Sequence, residues 1–390
     1  MDAQSNVPGL NRRGFLTASA AAAAGLGAAG CTASRAAAAS AAVGSPGQSG
    51  GSLSRSSGSL SRSSGSLTEA VVAAFRTHRL VGLAEAHQLQ EHHDLLQTLI
   101  SDPRLPGVVD DIVVEFGNAL YQDTIDKFVL DGQPVADADL RLVWRNTTES
   151  PLQTWDAPVY EQFFRRVRAV NWTLPPGKRI RVLLGDPLID WSNVTSRSQI
   201  PFGQRDPHAA SVVEQQVLAK GRRALLCYGS EHLHHTNGAS GGSAALVPLI
   251  QQQTGVRTYV IEDLIPLQGD PGGLGARLAR YPRGTVIPAA GTWFGQFNAG
   301  YAEPGLKKAS NGQVSSQFCG TPLGKVVDGG LYLGQPADLT VSWPNPAIFL
   351  DPAYWAELQR RNALAGNFVD LNSYRREHPP AYPSQPAAAC

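Results

Sequence analysis

The sequence predicts an α/β fold with a mainly parallel, mixed central sheet flanked by helices. Short apolar runs typical of buried strands alternate with segments of helical spacing, which is the pattern of parallel sheets. Ionisable residues follow four of the runs, so we expect a cleft at the carboxyl ends of the strands. The predicted strands cover residues 80–84, 112–114, 180–184, 224–227, 258–261 and 286–289.

Helical spacing of apolar residues predicts helices at 92–100, 119–130, 159–170, 209–218, 244–253 and 352–361. A capping box, Ser66 with Glu69, precedes the first helical pattern. The stretch 266–350 is rich in Gly and Pro and predicts loops with short strands. We therefore expect one folded domain at 66–372 and a disordered Pro- and Ala-rich tail at 373–390.

Residues 1–31 have the features of a twin-arginine export signal. Arg12 and Arg13 precede a short, weakly apolar, Ala-rich stretch. The segment ending at Cys31 resembles a lipoprotein cleavage box, which makes Cys31 a candidate for lipidation; cleavage near 39–41 is the alternative. Residues 32–65 predict a flexible linker, in which Gly-Ser-Leu-Ser-Arg-Ser-Ser begins at Gly51 and again at Gly58. We expect an exported protein, either a cell-surface lipoprotein held only by its lipid anchor or a secreted one.

Charge and cysteine content exclude several classes of protein. The chain has 33 Lys and Arg against 32 Asp and Glu, so no basic field favours a nucleic-acid partner. The four cysteines have no CxxC spacing, which argues against a thiolate zinc site and c-type haem attachment. Cys227 lies in an apolar run and is expected to be a buried free thiol; a Cys227–Cys319 disulfide is the alternative.

Carboxylates and histidines cluster at the predicted strand ends. They follow the first, second, third and fourth strands of the list. The candidate site consists of Glu85, His87, Glu115 and His232, with His92, Asp186, Tyr228 and His235 as secondary candidates. A histidine oriented by a carboxylate can act as general base on water, and imidazole with carboxylate can also hold a divalent metal.

Each residue also has an ordinary structural interpretation. Glu115 would serve as a helix cap, Asp186 as a turn former, and His93 as a solvated residue of a first helical turn. His234 and His235 would line a mobile loop. The coincidence of ionisable residues at four strand ends favours a shared site over these separate interpretations.

The same residues carry a resemblance to a known superfamily. Gly-Leu-Ala-Glu85-Ala-His87 with His92 and His93, then Val-Glu115-Phe, then Gly-Ser-Glu-His232 resemble the ChaN-like, TIKI and erythromycin-esterase superfamily over about residues 80–235. Its members share a Glu-x-His or Glu-x-x-His, a later glutamate and a Gly-x-x-His. The Glu-x-His spacing is most similar to the ChaN-like branch of haem-binding uptake lipoproteins. Ala84 departs from the family, which usually has glycine there.

The resemblance implies that Glu85, His87, Glu115 and His232 form the active site. Two alternatives for hydrolytic members remain open: the four residues hold a divalent metal, or they activate water directly. The ChaN-like branch implies a haem ligand instead, for which Tyr228 is the tyrosine candidate.

Two glycine-containing motifs carry little weight. Ser240 lies in a Gly-x-Ser-x-Gly pattern, but well past the fourth strand instead of at its tip, where a nucleophile elbow must lie. Gly272 to Gly275 lacks the last glycine of a dinucleotide fingerprint.

We therefore expect an exported hydrolase that cleaves an ester or amide of a small molecule or peptide, with water activated in the Glu/His site. One alternative is a haem-binding uptake lipoprotein of the ChaN type. A second is a natural-product tailoring enzyme that uses the same site for non-hydrolytic acid/base chemistry. Three carboxylates crowding a haem would be costly to bury, which favours hydrolysis.

Overall fold

The computed structural model describes residues 64–236, 245–302, 306–308, 314–383, 385 and 390. The predicted export signal, the linker up to residue 63, Cys31 and Ser240 lie outside them. The described part is an α/β fold, as predicted: a mixed, mostly parallel sheet of eight strands lies between layers of helices.

The central sheet has the strand order β1-β7-β10-β6-β2-β5-β3-β4. β2 to β6 and β10 pair in parallel, while β7 pairs antiparallel with β1 and β10. All six predicted strands are confirmed. The strands are β1 Gly65–Ser66, β2 Leu80–Glu85, β3 Asp111–Asn118, β4 Arg181–Asp186, β5 Ala224–Gly229, β6 Thr258–Leu264, β7 Thr285–Pro288 and β10 Gly329–Tyr332, with β8 Leu306–Lys308 and β9 Val314–Ser316 as a separate antiparallel pair.

Helices lie where helical spacing predicted them, and the Ser66–Glu69 capping box is present at the first one. Two of them, which begin at Gln122 and Arg205, continue as π-helical turns over Asp126–Leu130 and Val213–Leu218. No helix of the described residues is long and apolar enough to cross a membrane. The helices are α1 Leu67–Ala74, α2 Gln90–Ser101, α3 Gln122–Ile125, α4 Asp137–Arg145, α5 Pro158–Trp172, α6 Arg205–Val212, α7 Ser230–Leu233, α8 Leu246–Thr254, α9 Leu274–Leu278, α10 Trp293–Gln296 and α11 Pro352–Ala365.

Alternate residues of the central strands pack into two separate cores, one on each face of the sheet. Leu83 of β2 belongs to the core that contains Phe163 of α5. Its neighbour Ala84 belongs to the core that contains Ala209 of α6. Because both faces are covered, these strands are apolar at most positions, which is why they contain continuous apolar runs in the sequence.

β10 is a strand of the sheet that the sequence did not predict. It begins with Gly329 and Gly330 and so lacks the β-branched residues that mark a strand. A Cβ atom at Gly330 would collide with Leu264 and Phe294. The close approach of these side chains requires glycine, and this requirement comes from packing rather than from local propensity.

The C-terminal residues, predicted to be disordered, pack against the domain where the structure describes them. The Val341 N–H donates to the Pro380 carbonyl (2.7 Å), and the Tyr382 N–H donates to the Leu339 carbonyl (3.1 Å). Cys390 forms a disulfide with Cys319. These contacts offset the conformational entropy that is lost when the tail becomes ordered. The Pro- and Ala-rich composition alone suggested that the tail could not offset this cost.

The predicted alternative of a Cys227–Cys319 disulfide is wrong, because Cys319 pairs with Cys390. Cys227 is a free thiol, buried in the core next to the sheet, as expected. Burial raises the pKa of this thiol well above its usual value, so it carries little reactive thiolate.

We expect thiol mapping to reproduce this pairing. Iodoacetamide should label Cys227 only after denaturation, and a non-reducing digest should contain one peptide pair that links Cys319 to Cys390. Replacing Cys319 with Ser should lower the free energy of unfolding by about 2–5 kcal/mol, since the bond closes a 71-residue loop. Labelling of native Cys227 by iodoacetamide, or equal stability of Cys319→Ser and wild type, would contradict the assignment.

Candidate active site

Glu85, the last residue of β2, is a buried carboxylate held by donors from two other segments. Its Oε1 accepts hydrogen bonds from His87 Nδ1 (2.8 Å) and from the Tyr160 hydroxyl (2.9 Å). Burial by itself would raise the pKa of Glu85, but the adjacent His93 and the hydrogen bond from His87 hold it well below its usual value. Glu85 is therefore ionised, and it fixes the tautomer and orientation of His87.

His92 and His93 of α2 lie behind Glu85, inside the protein. Glu85 Oε2 is 3.3 Å from His93 Nε2 and 3.9 Å from His92 Nε2, contacts that lack hydrogen-bond alignment. Asp263 accepts a hydrogen bond from His92 Nδ1 (2.9 Å) and another from the Ala86 N–H (3.0 Å). The interpretation of His93 as a solvated residue is wrong, because α5 and the sheet cover this turn of α2.

His87 is the histidine of this group that reaches the surface, with 13% of its side chain exposed. The described residues supply a hydrogen-bond partner for its Nδ1 but none for its Nε2. The edge of Trp155 packs against the ring at a centroid distance of 4.8 Å. Burial would lower the pKa of His87, but the hydrogen bond with Glu85 and the charge of Glu115 raise it above 6.5.

Glu115 of β3 is the centre of a second group of charges. Its Oε1 accepts from the Arg205 guanidinium and lies 3.1 Å from His232 Nε2, while Arg205 also donates to Glu149 (2.6 Å). His232 Nδ1 lies 2.6 Å from Asp206. Arg205 and Asp206 come from the first turn of α6, so this helix delivers both a cation and an anion to the site.

These ion pairs set the protonation states of the second group. Burial would raise the pKa of Glu115, but His232 and Arg205 hold it far below its usual value. Burial would lower the pKa of His232, but the carboxylates of Glu115 and Asp206 raise it well above its usual value. At neutral pH Glu115 is thus ionised and His232 is an imidazolium, so His232 is unsuited to act as a base.

The two groups meet at Gly229, the last residue of β5. The Gly229 N–H donates to Glu115 Oε2 (2.7 Å). A Cβ atom at this position would lie 2.8 Å from His87 Nε2 and 3.4 Å from Glu115 Oε2. Only glycine at this position lets the His87 ring lie this close to β5. The structure thus brings the four predicted residues to one edge of the sheet.

The secondary candidates have different surroundings. Asp186 accepts two hydrogen bonds from Thr148 rather than forming a local turn, and burial raises its pKa to about 7. The Tyr228 hydroxyl is buried without a hydrogen-bond partner among the described residues, and Tyr228 lines a narrow cavity with Glu115, Arg205 and His232. His235 faces Asp328 (2.7 Å) instead of the four main residues.

The arrangement does not fit a divalent metal held by the four predicted residues. Both acceptor positions of Glu115 Oε1 are taken by Arg205 and His232, and Oε2 is taken by the Gly229 N–H. Arg205 already supplies the positive charge that a metal would bring to this carboxylate. Among the residues that the structure describes, no cluster of His, Cys, Asp and Glu has an arrangement that could hold a metal ion.

Sequence reasoning missed five residues that build the site. Each lies far along the chain from the residue it contacts, and only Asp263 follows a predicted strand, 258–261. The signal that could have found two of them is the charged pair that opens the helical pattern at residue 205. The missed residues are Glu149, Tyr160, Arg205, Asp206 and Asp263.

No protein-family model matches the chain. No curated protein matches it either. Solved structures with a similar fold include a succinoglycan biosynthesis protein, which is 8% identical over 68% of this chain and 90% of that one, with a TM-score of 0.48.

An erythromycin esterase mutant in its open conformation is 11% identical over 68% of this chain and 93% of that one, with a TM-score of 0.43. ChaN of Campylobacter jejuni, described with cofacial haem, is 12% identical over 50% of this chain and 85% of that one, with a TM-score of 0.29. These two bear the names of the superfamily that the motifs resemble. At such identities the likeness concerns the fold and says nothing about the ligand of this chain.

We expect Arg205→Met to lower the free energy of unfolding by about 3–5 kcal/mol, because it leaves Glu115 and Glu149 buried without their cation. Urea unfolding measures this loss. The double variant Arg205→Met, Glu115→Gln should recover part of it. Arg104→Met, which removes an exposed ion pair with Asp102, is the matched control and should leave the free energy of unfolding almost unchanged. Equal effects of the two single variants would contradict the assigned charge balance.

Proposed function

We propose that this protein is a hydrolase that cleaves an ester or amide with water activated by His87. One observation carries the proposal: His87 Nδ1 is bonded to a buried, ionised carboxylate, while Nε2 has no hydrogen-bond partner among the described residues and belongs to a side chain that reaches the surface. A histidine oriented in this way is the arrangement that general-base catalysis needs. The resemblance of the motifs to a superfamily with hydrolytic members supports the same conclusion.

In this mechanism His87 Nε2 takes a proton from a water molecule next to Gly229 as the water attacks the substrate carbonyl. The imidazolium that forms keeps its Nδ1–H donated to Glu85, whose negative charge stabilises it. The proton then passes from Nε2 to the leaving oxygen or nitrogen. Glu115 takes no proton, because Arg205 and His232 keep it ionised; it accepts a hydrogen bond from the Gly229 N–H and so fixes the end of β5 beside His87.

Activity should depend on the neutral form of His87. Because the pKa of His87 is raised above 6.5 in the folded protein, kcat/KM should rise with pH through a midpoint above 6.5 and fall below it. His87→Gln should lower kcat by about 10²- to 10⁴-fold. The assay would follow hydrolysis of a series of p-nitrophenyl esters and p-nitroanilides.

Two further variants sharpen this experiment. Gly229→Ala should also abolish activity, since its methyl group would collide with the His87 ring. His78→Gln is the matched control, because His78 precedes β2 at the opposite end of the strand. Activity that survives His87→Gln, or that is lost equally in His78→Gln, would overturn the proposal.

The alternative of haem carriage finds less support in the site. Tyr228 is 3% exposed, and the cavity that contains its hydroxyl is lined largely by charged side chains. This cavity has no room for a water molecule, whereas pockets that enclose small ligands measure roughly 300–1,000 Å³. A stoichiometric Soret band in a haemin titration, lost in Tyr228→Phe and His87→Gln, would favour the haem carrier over the hydrolase.

Non-hydrolytic acid/base chemistry would use the same residues. Isotopically labelled water separates it from hydrolysis, because a hydrolase transfers one labelled oxygen to the acid product. A tailoring enzyme with the same pH profile would leave its product unlabelled.

We propose in addition that the protein is exported by the twin-arginine route. The paired arginines and the apolar stretch after them support this proposal, as does the Cys319–Cys390 disulfide, since such bonds persist mainly in oxidising compartments. Lipidation of Cys31 would then anchor the chain at the membrane surface.

Replacing both Arg12 and Arg13 with Lys should retain the protein in the cytoplasm, because the export machinery recognises the arginine pair. Immunoblots of cell fractions measure the distribution. Lys178→Arg, a change in the folded part, is a control that should leave export unchanged. Normal export of the double-lysine variant would contradict the proposed export route. Unchanged detergent partitioning of Cys31→Ala would contradict the lipidation of Cys31 but not the export route.

A further inference from the structure

We propose that Tyr160 is the positioning residue for the general base, and that it holds His87 by fixing both the carboxylate and the backbone of the turn that carries it. This inference rests on the proposed role of His87. Tyr160 lies in the first turn of α5, outside the sheet, and does not touch the open side of His87 Nε2.

The Tyr160 hydroxyl makes two hydrogen bonds to the same short turn. It donates to Glu85 Oε1 (2.9 Å), the oxygen that also accepts from His87 Nδ1, and it accepts from the Gln88 N–H (3.0 Å). Gln88 has φ of 67°, a left-handed conformation that is unfavourable for a residue other than glycine. One hydroxyl therefore ties together the two ends of the Glu85–Gln88 turn, with His87 between them.

Neighbouring rings fix the position of this hydroxyl. The Tyr160 ring packs against Phe116, Trp155 and His93 at centroid distances of 4.8, 4.9 and 4.9 Å. Trp155 in turn packs on His87. Phenylalanine at position 160 would keep these ring contacts and remove only the hydroxyl, so Tyr160→Phe tests the hydrogen bonds without removing the packing.

Tyr160 also limits how strongly Glu85 binds the proton of His87. Two donors share Glu85 Oε1, and loss of the tyrosine donor leaves the carboxylate a stronger acceptor for His87. The imidazolium form of His87 would then be more stable. The other charged and titratable groups that act on His87 or Glu85 stay in place in this variant: His92, His93, Glu115, Glu149 and Asp263.

The experiment is an NMR titration of the histidine side chains in the full-length protein, with the His87 signal identified by its loss in His87→Gln. In Tyr160→Phe we expect the His87 midpoint to rise by about 0.5–1 pH unit, the shift equivalent to one ordinary hydrogen bond. Tyr281→Phe is the matched control and should leave the midpoint unchanged. Tyr281 lies just before β7, and its hydroxyl accepts a hydrogen bond from Trp293.

A midpoint for His87 that stays the same or falls in Tyr160→Phe would overturn the inference. Thermal unfolding of both variants verifies that they are folded. With an active substrate, Tyr160→Phe should move the acid limb of the kcat/KM profile to higher pH by the same amount and lower kcat with little change in KM. The titration needs no substrate, so it tests the effect of Tyr160 on His87 independently of the proposed function. A shifted His87 midpoint without any hydrolysis would contradict the proposed function and still establish this effect.

Discussion

The buried charge of Glu85 is the constraint on which the rest of the site depends. An ionised carboxylate inside a protein is tolerated only when donors or cations surround it. At Glu85 these come from the following turn, through His87, from α5, through Tyr160, and from α2, which carries His92 and His93. Three segments must therefore pack at the end of β2 before the carboxylate can remain charged there.

The alternation of side chains along a strand explains why the site has two halves. Glu85 points to the face of the sheet that is covered by α5, where its partner Tyr160 lies. Glu115 points toward the other face, where α6 supplies Arg205. The halves share only the edge of the sheet, and the missing side chain of Gly229 lets them approach each other there. A substrate at this edge would contact His87 on one side and a compensated ion pair on the other.

Different charged neighbours give His87 and His232 different chemical roles. His232 lies between two carboxylates and remains charged, so its role is to neutralise Glu115. His87 has one direct carboxylate partner and an open Nε2, so it can exchange a proton with a bound molecule. Both follow strand ends in the sequence, and the pattern gave no sign of the difference. It arises from Asp206 and Arg205, which only the folded chain brings near.

The sequence by itself determined the α/β class, the six strands and the strand-end residues Glu85, His87, Glu115 and His232. All of these can be predicted from the local periodicity of apolar residues and from the positions directly after apolar runs. Only the tertiary structure decided which partners they have, because Tyr160 lies 75 residues from Glu85 and Arg205 lies 90 residues from Glu115. The same holds for the disulfide that joins residues 319 and 390. Contacts over such separations depend on how helices pack on the sheet, and no local pattern encodes that packing.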